Sequence, residues 1–201
     1  MDKKCKLTEE TINVNGITLY RIEALRDFAN VKKGDKGGFV EKESNLSQSG
    51  DCWVYHNAEV FGNAEVFGNA KVCGNVVVCG TARVYGNARV YDNAIISGKA
   101  VVSDRAVVFG NAEVFGNAEI YGDAIVYGNA QVYNNARIYG DAFVYDNAEV
   151  CGDVFVYDNA EVFGNAVVRD NAEVYGCTRV CNDAEVCDDA EVFDNAIVCD
   201  D

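Results

Sequence analysis

The sequence predicts an all-β chain: a parallel β-solenoid wound in triangular coils of 18 residues, preceded by a small N-terminal β cap. Three observations carry that expectation. From Asn57 to Asp200 the 201-residue chain repeats one six-residue unit, N-A-x-V-[FY]-[GD], through 24 consecutive units without an insertion. Within each unit A-x-V-Y has the period-two alternation of a strand, so Ala and Val point one way while x and the aromatic point the other. Gly or Asp followed by Asn or Asp then closes the unit, and these residue types accept positive φ or bond to their own backbone, which a sharp corner needs.

A four-residue strand cannot bury its Ala and Val face alone, so successive coils must stack and share one core. Coils of 18 residues (three strands) and of 12 (two strands) both fit the period, and the variable x column chooses between them. A 12-residue coil would run Glu149, Glu161, Glu173 and Glu185 into one ladder of like charge, which costs stability. An 18-residue coil instead stacks Glu65 on Arg83, Glu119 on Arg137 and Glu161 on Arg179. The triangular coil is therefore expected, eight coils over residues 57–200 and a rod of roughly 38 Å at ~4.8 Å per coil.

Residues 1–44 differ in composition and are assigned to the cap; residues 45–201 are assigned to the solenoid, beginning with two looser units, NLSQSG and DCWVYH. In the cap, ETINVNGITLYRIEAL reads as two strands around an Asn15-Gly16 hairpin turn. KKGDKGG reads as a flexible loop; its glycines could cradle a phosphate, but no GKS or GKT follows. A cap of this kind blocks the exposed edge of the first coil.

Net charge is -15, and it is unevenly placed: residues 1–44 hold nine Lys+Arg against eight Asp+Glu, leaving eight against 24 for the remainder of the totals 17 and 32. No basic residue follows Arg179, whereas Asp183, Glu185, Asp188, Asp189, Glu191, Asp194, Asp200 and Asp201 crowd the end. Such a surface repels nucleic acid and anionic membranes. No apolar run approaches the ~20 residues of a membrane span and the N-terminus has no signal-peptide pattern, so a cytoplasmic protein is expected, with its nine cysteines reduced.

The spacing of Ala58, Glu59 and Val60 resembles the hexapeptide repeat of the LpxA-like superfamily, and residues 31–55, VKKGDKGGFVEKESNLSQSGDCWVY, resemble more narrowly the lead-in to the repeat of YdcK-like and related phage-borne hexapeptide proteins. The resemblance implies a left-handed β-helix, a hand that periodicity does not supply and that opposes the usual right-handed crossover. It also implies acyl transfer from coenzyme A or acyl carrier protein as a possible activity. Enzymes of that kind resemble one another in a catalytic His, loops excluded from the coils and a C-terminal helical region. Here the only histidine, His56, falls at a corner of a loose unit, where a general base has no pocket, and no loop interrupts the repeat.

No catalytic residue, cofactor or metal site is assigned from the sequence. Asp123 and Asp141 would share one edge, and Asp183 and Asp189 neighbouring ones, but calcium needs six to eight converging oxygens. Cys181 and Cys199 fall one coil apart and are read, with Cys73, Cys79, Cys151 and Cys187, as ladder fillers in place of the aromatic. Stacked rings are expected along Phe67, Tyr85, Tyr121, Tyr139, Tyr157, Tyr175 and Phe193, interrupted at Ser103. On another face Val107, Ile125 and Phe143 occupy x positions where charge is usual, beside Phe109, Tyr127 and Tyr145, forming a candidate protein-binding or self-association patch. Asp188, Asp189, Asp194 and Asp200 form a second candidate set, as charge guarding an open β edge on the final coil. The functional expectation is a non-catalytic acidic scaffold that binds a protein or a second copy, with no nucleic acid or membrane partner; the resemblance to phage-borne proteins implies a phage-encoded chain acting on a host protein. The alternatives are an acyltransferase relative and an acidic nucleic-acid mimic occupying a basic protein groove.

Overall fold

A computed structural model describes residues 3–200 of the chain, so Asp201, counted above among the terminal carboxylates, lies outside the described residues. Two strands, β1 (Cys5–Val14) and β2 (Ile17–Ala24), form the expected antiparallel hairpin around Asn15 and Gly16. The third, β3 (Lys36–Val40), runs antiparallel to β2 and parallel to Glu59–Val60. The cap therefore continues directly into the first wall of a three-walled parallel solenoid.

The walls are defined by which rungs pair. Wall I carries Glu59–Val60 through Glu185–Val186 and, with the hairpin, has 11 strands; wall II has eight, Glu65–Val66 through Glu191–Val192; wall III has nine, Trp53–Val54 through Ile197–Asp200. Every rung of the repeat pairs with the rung 18 residues away, as in Ile125↔Phe143 and Val126↔Val144. The expected charge stacking is present: Glu65 meets Arg83 at 3.8 Å, Glu119 meets Arg137 at 3.7 Å and Glu161 meets Arg179 at 3.5 Å. Backbone amides bond along the rod, for example Ile125 N to Ala142 O at 2.9 Å and Tyr127 N to Val144 O at 3.0 Å, which satisfies groups that a lone short strand would leave open.

The inward column is Ala and Val or Ile, fully buried from Ala58 to Val174. Each such Val or Ile contributes about 1.5–3 kcal/mol by leaving water, so the columns of adjacent coils supply the cohesion that six residues alone lack. Corners turn at positive φ. Asp, or Asn at Asn134 and Asn182, fills this position where Gly does not in the repeat, as at Asp92 (φ 63) and Asp104 (φ 57), whose carboxylates accept the amides of Gly110 and Gly122 one coil on. The next corner residue forms amide ladders, continuous from Asn75 through Asn93, Asn111, Asn129, Asn147 and Asn165 to Asp183.

Two features depart from the sequence expectations, and one was not foreseen. KKGDKGG is not a loop throughout: Lys36 to Val40 is strand β3, and Gly37 and Gly38 are buried where a Cβ would come within 2.5 Å of Val54 O and 2.4 Å of Ala58 O. Glycine is needed there for close approach rather than flexibility. Lys4 is fully buried, its Nζ donating to Cys52 O at 2.8 Å and lying 3.1 Å from Cys52 Sγ, while Phe28 covers Trp53 edge-on at 5.4 Å. Finally, Cys181 and Cys199 are joined as a disulfide, with Cα atoms 4.7 Å apart, and not left as free ladder fillers; the 18-residue register places them on facing rungs.

Candidate protein interface

Wall III carries an outward column in which chemistry changes along the rod: Trp53, Lys71, Arg89, Val107, Ile125, Phe143, Glu161, Arg179, Ile197. The hairpin side of the molecule buries Trp53 at one end, and Ile197 is 70% exposed at the other. Between them Val107, Ile125 and Phe143 are three consecutive apolar rungs, each half-buried because the rungs above and below shade it. Parallel pairing brings these three into one column, as the 18-residue register requires.

Beside that column runs a ladder of rings, Tyr91, Phe109, Tyr127, Tyr145 and Phe163, with centroids 4.8–4.9 Å apart and planes within 12°. Stacking covers the ring faces, so the wall presents ring edges and tyrosine hydroxyls outward. The Tyr145 hydroxyl lies 3.4 Å from Glu161 Oε2. Partial burial, followed by the Glu161 charge, pushes its pKa up to about 12, and burial followed by Asp146 raises Tyr127 as well. Both hydroxyls are therefore protonated and able to donate at neutral pH.

The other walls lack this run. Wall II alternates Glu65, Arg83, Val101, Glu119, Arg137, Phe155, Glu173 and Glu191, and wall I reaches two consecutive apolar rungs at Val77 and Ile95. Wall II does carry the expected ring ladder, Phe67 on Tyr85 and then Tyr121, Tyr139, Tyr157, Tyr175 and Phe193, broken at the buried Ser103.

The aspartates are placed differently. Asp188, Asp189, Asp194 and Asp200 are all exposed, but they follow walls I, II and III in turn and so ring the last coil without sharing one face. Asp189 also accepts the Asn171 amide at 3.1 Å. Of the carboxylates weighed for metal, Asp123 is paired with Arg105 and Asp183 accepts from Asn165 at 2.8 Å. A group the sequence reading missed, Asp170, Cys187 and Asp188, gathers its ligand atoms within 4.8 Å. Arg169 and the Asp188 amide already occupy Asp170 there, so the cluster serves its own corner. His56 is exposed at a corner with φ 54, its carbonyl accepting from Arg21 at 3.1 Å. No helix among the described residues is long and apolar enough to cross a membrane.

Three walls of stacked short strands define a β-solenoid repeat protein. The repeat itself is of a particular kind: the family described as YdcK Beta solenoid repeat matches residues 82–98, 88–104, 118–134 and 130–146. With its 18-residue coils the chain is a β-solenoid repeat protein, and its repeat is similar to that family over those segments. A search of curated proteins finds no match to it.

Proposed function

We propose that the chain is a non-catalytic scaffold that binds protein through wall III. One observation carries this reading: the x column, charged or polar on most rungs of the solenoid, turns apolar for three consecutive rungs at Val107, Ile125 and Phe143, beside Phe109, Tyr127 and Tyr145. A contiguous apolar and tyrosine-rich strip between charged rungs has the composition of an interface centre with a polar rim. The rod supports such a role because its backbone bonds along the axis hold each side chain at a fixed spacing, so binding requires little ordering of the surface.

The test is photo-cross-linking from the two comparable walls. A benzophenone amino acid at position 125 is expected to yield a cross-linked protein product in cells, and the same group at position 101 on wall II is not. Equal yields from both, or none from either, would defeat the reading. An acidic-mimic reading draws on the exposed carboxylates of the last coil, and neutralising Asp188, Asp189, Asp194 and Asp200 would then abolish capture of a basic protein while leaving cross-linking at 125 intact.

A further inference from the structure

We infer that the occupant of wall III is a second copy of this chain, lying antiparallel to the first about a two-fold axis that passes at Ile125. The inference rests on the wall III reading and adds partner, direction and register.

The order of charges along the column decides the direction. Arg89 lies two rungs from Ile125 on one side and Glu161 two rungs away on the other. An isologous contact offers each patch to itself. With the axis across the rod, Ile125 faces Ile125, Val107 faces Phe143 and Arg89 faces Glu161, each of the last two twice. In the ring column Tyr127 faces Tyr127 and Phe109 faces Tyr145. With the axis along the rod, by contrast, the two copies run parallel and bring both Lys71 and Arg89 cations to the same height, as well as both Glu161 carboxylates. Opposed charges favour the antiparallel arrangement, and like charges at an interface suppress the parallel one.

Pairing inside one chain leaves these groups available. No ion pair involves Lys71 or Arg89 among the described residues, although two cations sit on adjacent rungs of an acidic protein. Glu161 has one cationic neighbour, Arg179, at 3.5 Å and retains oxygen lone pairs for another. Lys71 would face Arg179 of the second copy, whose charge Glu161 already offsets. Sheets stacked face to face cross at about 30°, so the columns diverge beyond roughly two rungs from the axis. The contact is thereby confined to the rungs from Arg89 to Glu161.

Five rungs at ~4.8 Å by four extended residues at ~3.3 Å give roughly 300 Å² of flat wall per copy before side-chain relief is counted. Over the two copies that is about 600 Å², below the ~1,200–2,000 Å² of standard specific interfaces and in the range of weak, transient contacts, so dissociation in the high-micromolar to millimolar range is expected.

Sedimentation equilibrium of the full chain from micromolar to millimolar concentration tests the inference through a charge exchange. Arg89→Glu alone and Glu161→Arg alone should each raise the dissociation constant about tenfold or more, because each homodimer then opposes like charges twice. An equimolar mixture of the two variants should dimerise more tightly than either variant alone, since positions 89 and 161 then face opposite charges, although Glu161→Arg also leaves Arg179 without its partner and keeps the mixture weaker than the unmodified chain. Circular dichroism establishes that each variant folds, and Glu161→Lys replaces Glu161→Arg should the latter not. A monomeric unmodified chain, or a mixture no tighter than its components, would overturn the inference. If that result came with a cross-link from position 125 to another protein, wall III would stand and only the second copy would fall; with no cross-link, both would.

Discussion

Walls II and III are built on the same backbone. Each is a stack of short parallel strands with Ala and Val inside and a ladder of rings outside, at the same spacing. They differ in one column. On wall II the x residues place Arg83 against Glu65 and Arg137 against Glu119, so both of its cations are answered within the chain, while Glu173 and Glu191 stack as an acidic end. On wall III they separate Arg89 from Glu161 by three apolar rungs, so the charge of Arg89 is left for something else to answer. The inward column and the corners determine the fold, and they leave the x column free to differ from wall to wall.

The largest effect should come from crossing that boundary between inside and outside. Val126 and Ile125 are neighbours in sequence but point to opposite sides of wall III, Val126 fully buried and Ile125 half-buried. Val126→Asp puts a charge into the core without a partner and should cost at least about 3 kcal/mol in denaturant unfolding, enough to prevent folding in a marginal protein. Ile125→Asp, which loses only half-buried contacts with Val107 and Phe143, should cost about 1 kcal/mol. Equal losses would mean that the two sides have been assigned wrongly.

A smaller effect belongs to wall II. Arg137 answers Glu119, so Arg137→Glu sets like charges on adjacent rungs and should destabilise by about 0.2–1 kcal/mol, a loss that shrinks in high salt. Salt-independent loss would point to packing against Phe155, over whose ring the Arg137 guanidinium lies at 5.3 Å, instead of to charge.

The smallest effect at neutral pH, and one the two walls should share, concerns the ring ladders. Tyr145 on wall III and Tyr157 on wall II are both pushed up to about 12, chiefly by burial and then by Glu161 and Glu173 respectively. A tyrosine whose folded pKa lies above its unfolded value of about 10 holds its proton more tightly in the fold. Its contribution to stability is whole below pH ~10 and is lost as pH rises from there through about 12. Tyrosinate absorbance should accordingly show late-titrating rings, and unfolding midpoints should fall only in that alkaline window. Titration of every ring near 10 would contradict the burial and the carboxylate influence assigned to these rings.

The periodic part of the molecule was legible because each unit repeats the same local choices. Small inward residues, corner-forming Gly, Asp and Asn, and the charge pattern at x all point to one register, and the pairing of Glu65 with Arg83 and of Glu161 with Arg179 follows from it. Once the register is known, the column Val107, Ile125, Phe143 can be read off. Its half-burial could not, since shading by adjacent rungs depends on the coil spacing. The cap was less legible: burial of Lys4 depends on Cys52, 48 residues away, and β3 depends on the first coil beneath it, so no local period announces either. The bond between Cys181 and Cys199 was hidden for another reason, because adjacency was visible in the register but the compartment expected from composition argued for free thiols.

Native mass of two matched variants tests the central claim most directly, that wall III and not wall II is the contact surface between copies. Ile125→Asp and Val101→Asp introduce the same charge at x positions of the two walls, both outside the core. Ile125→Asp should sediment as a monomer at concentrations where the unmodified chain and Val101→Asp are dimers. Dissociation by Val101→Asp, with Ile125→Asp still dimeric, would contradict it.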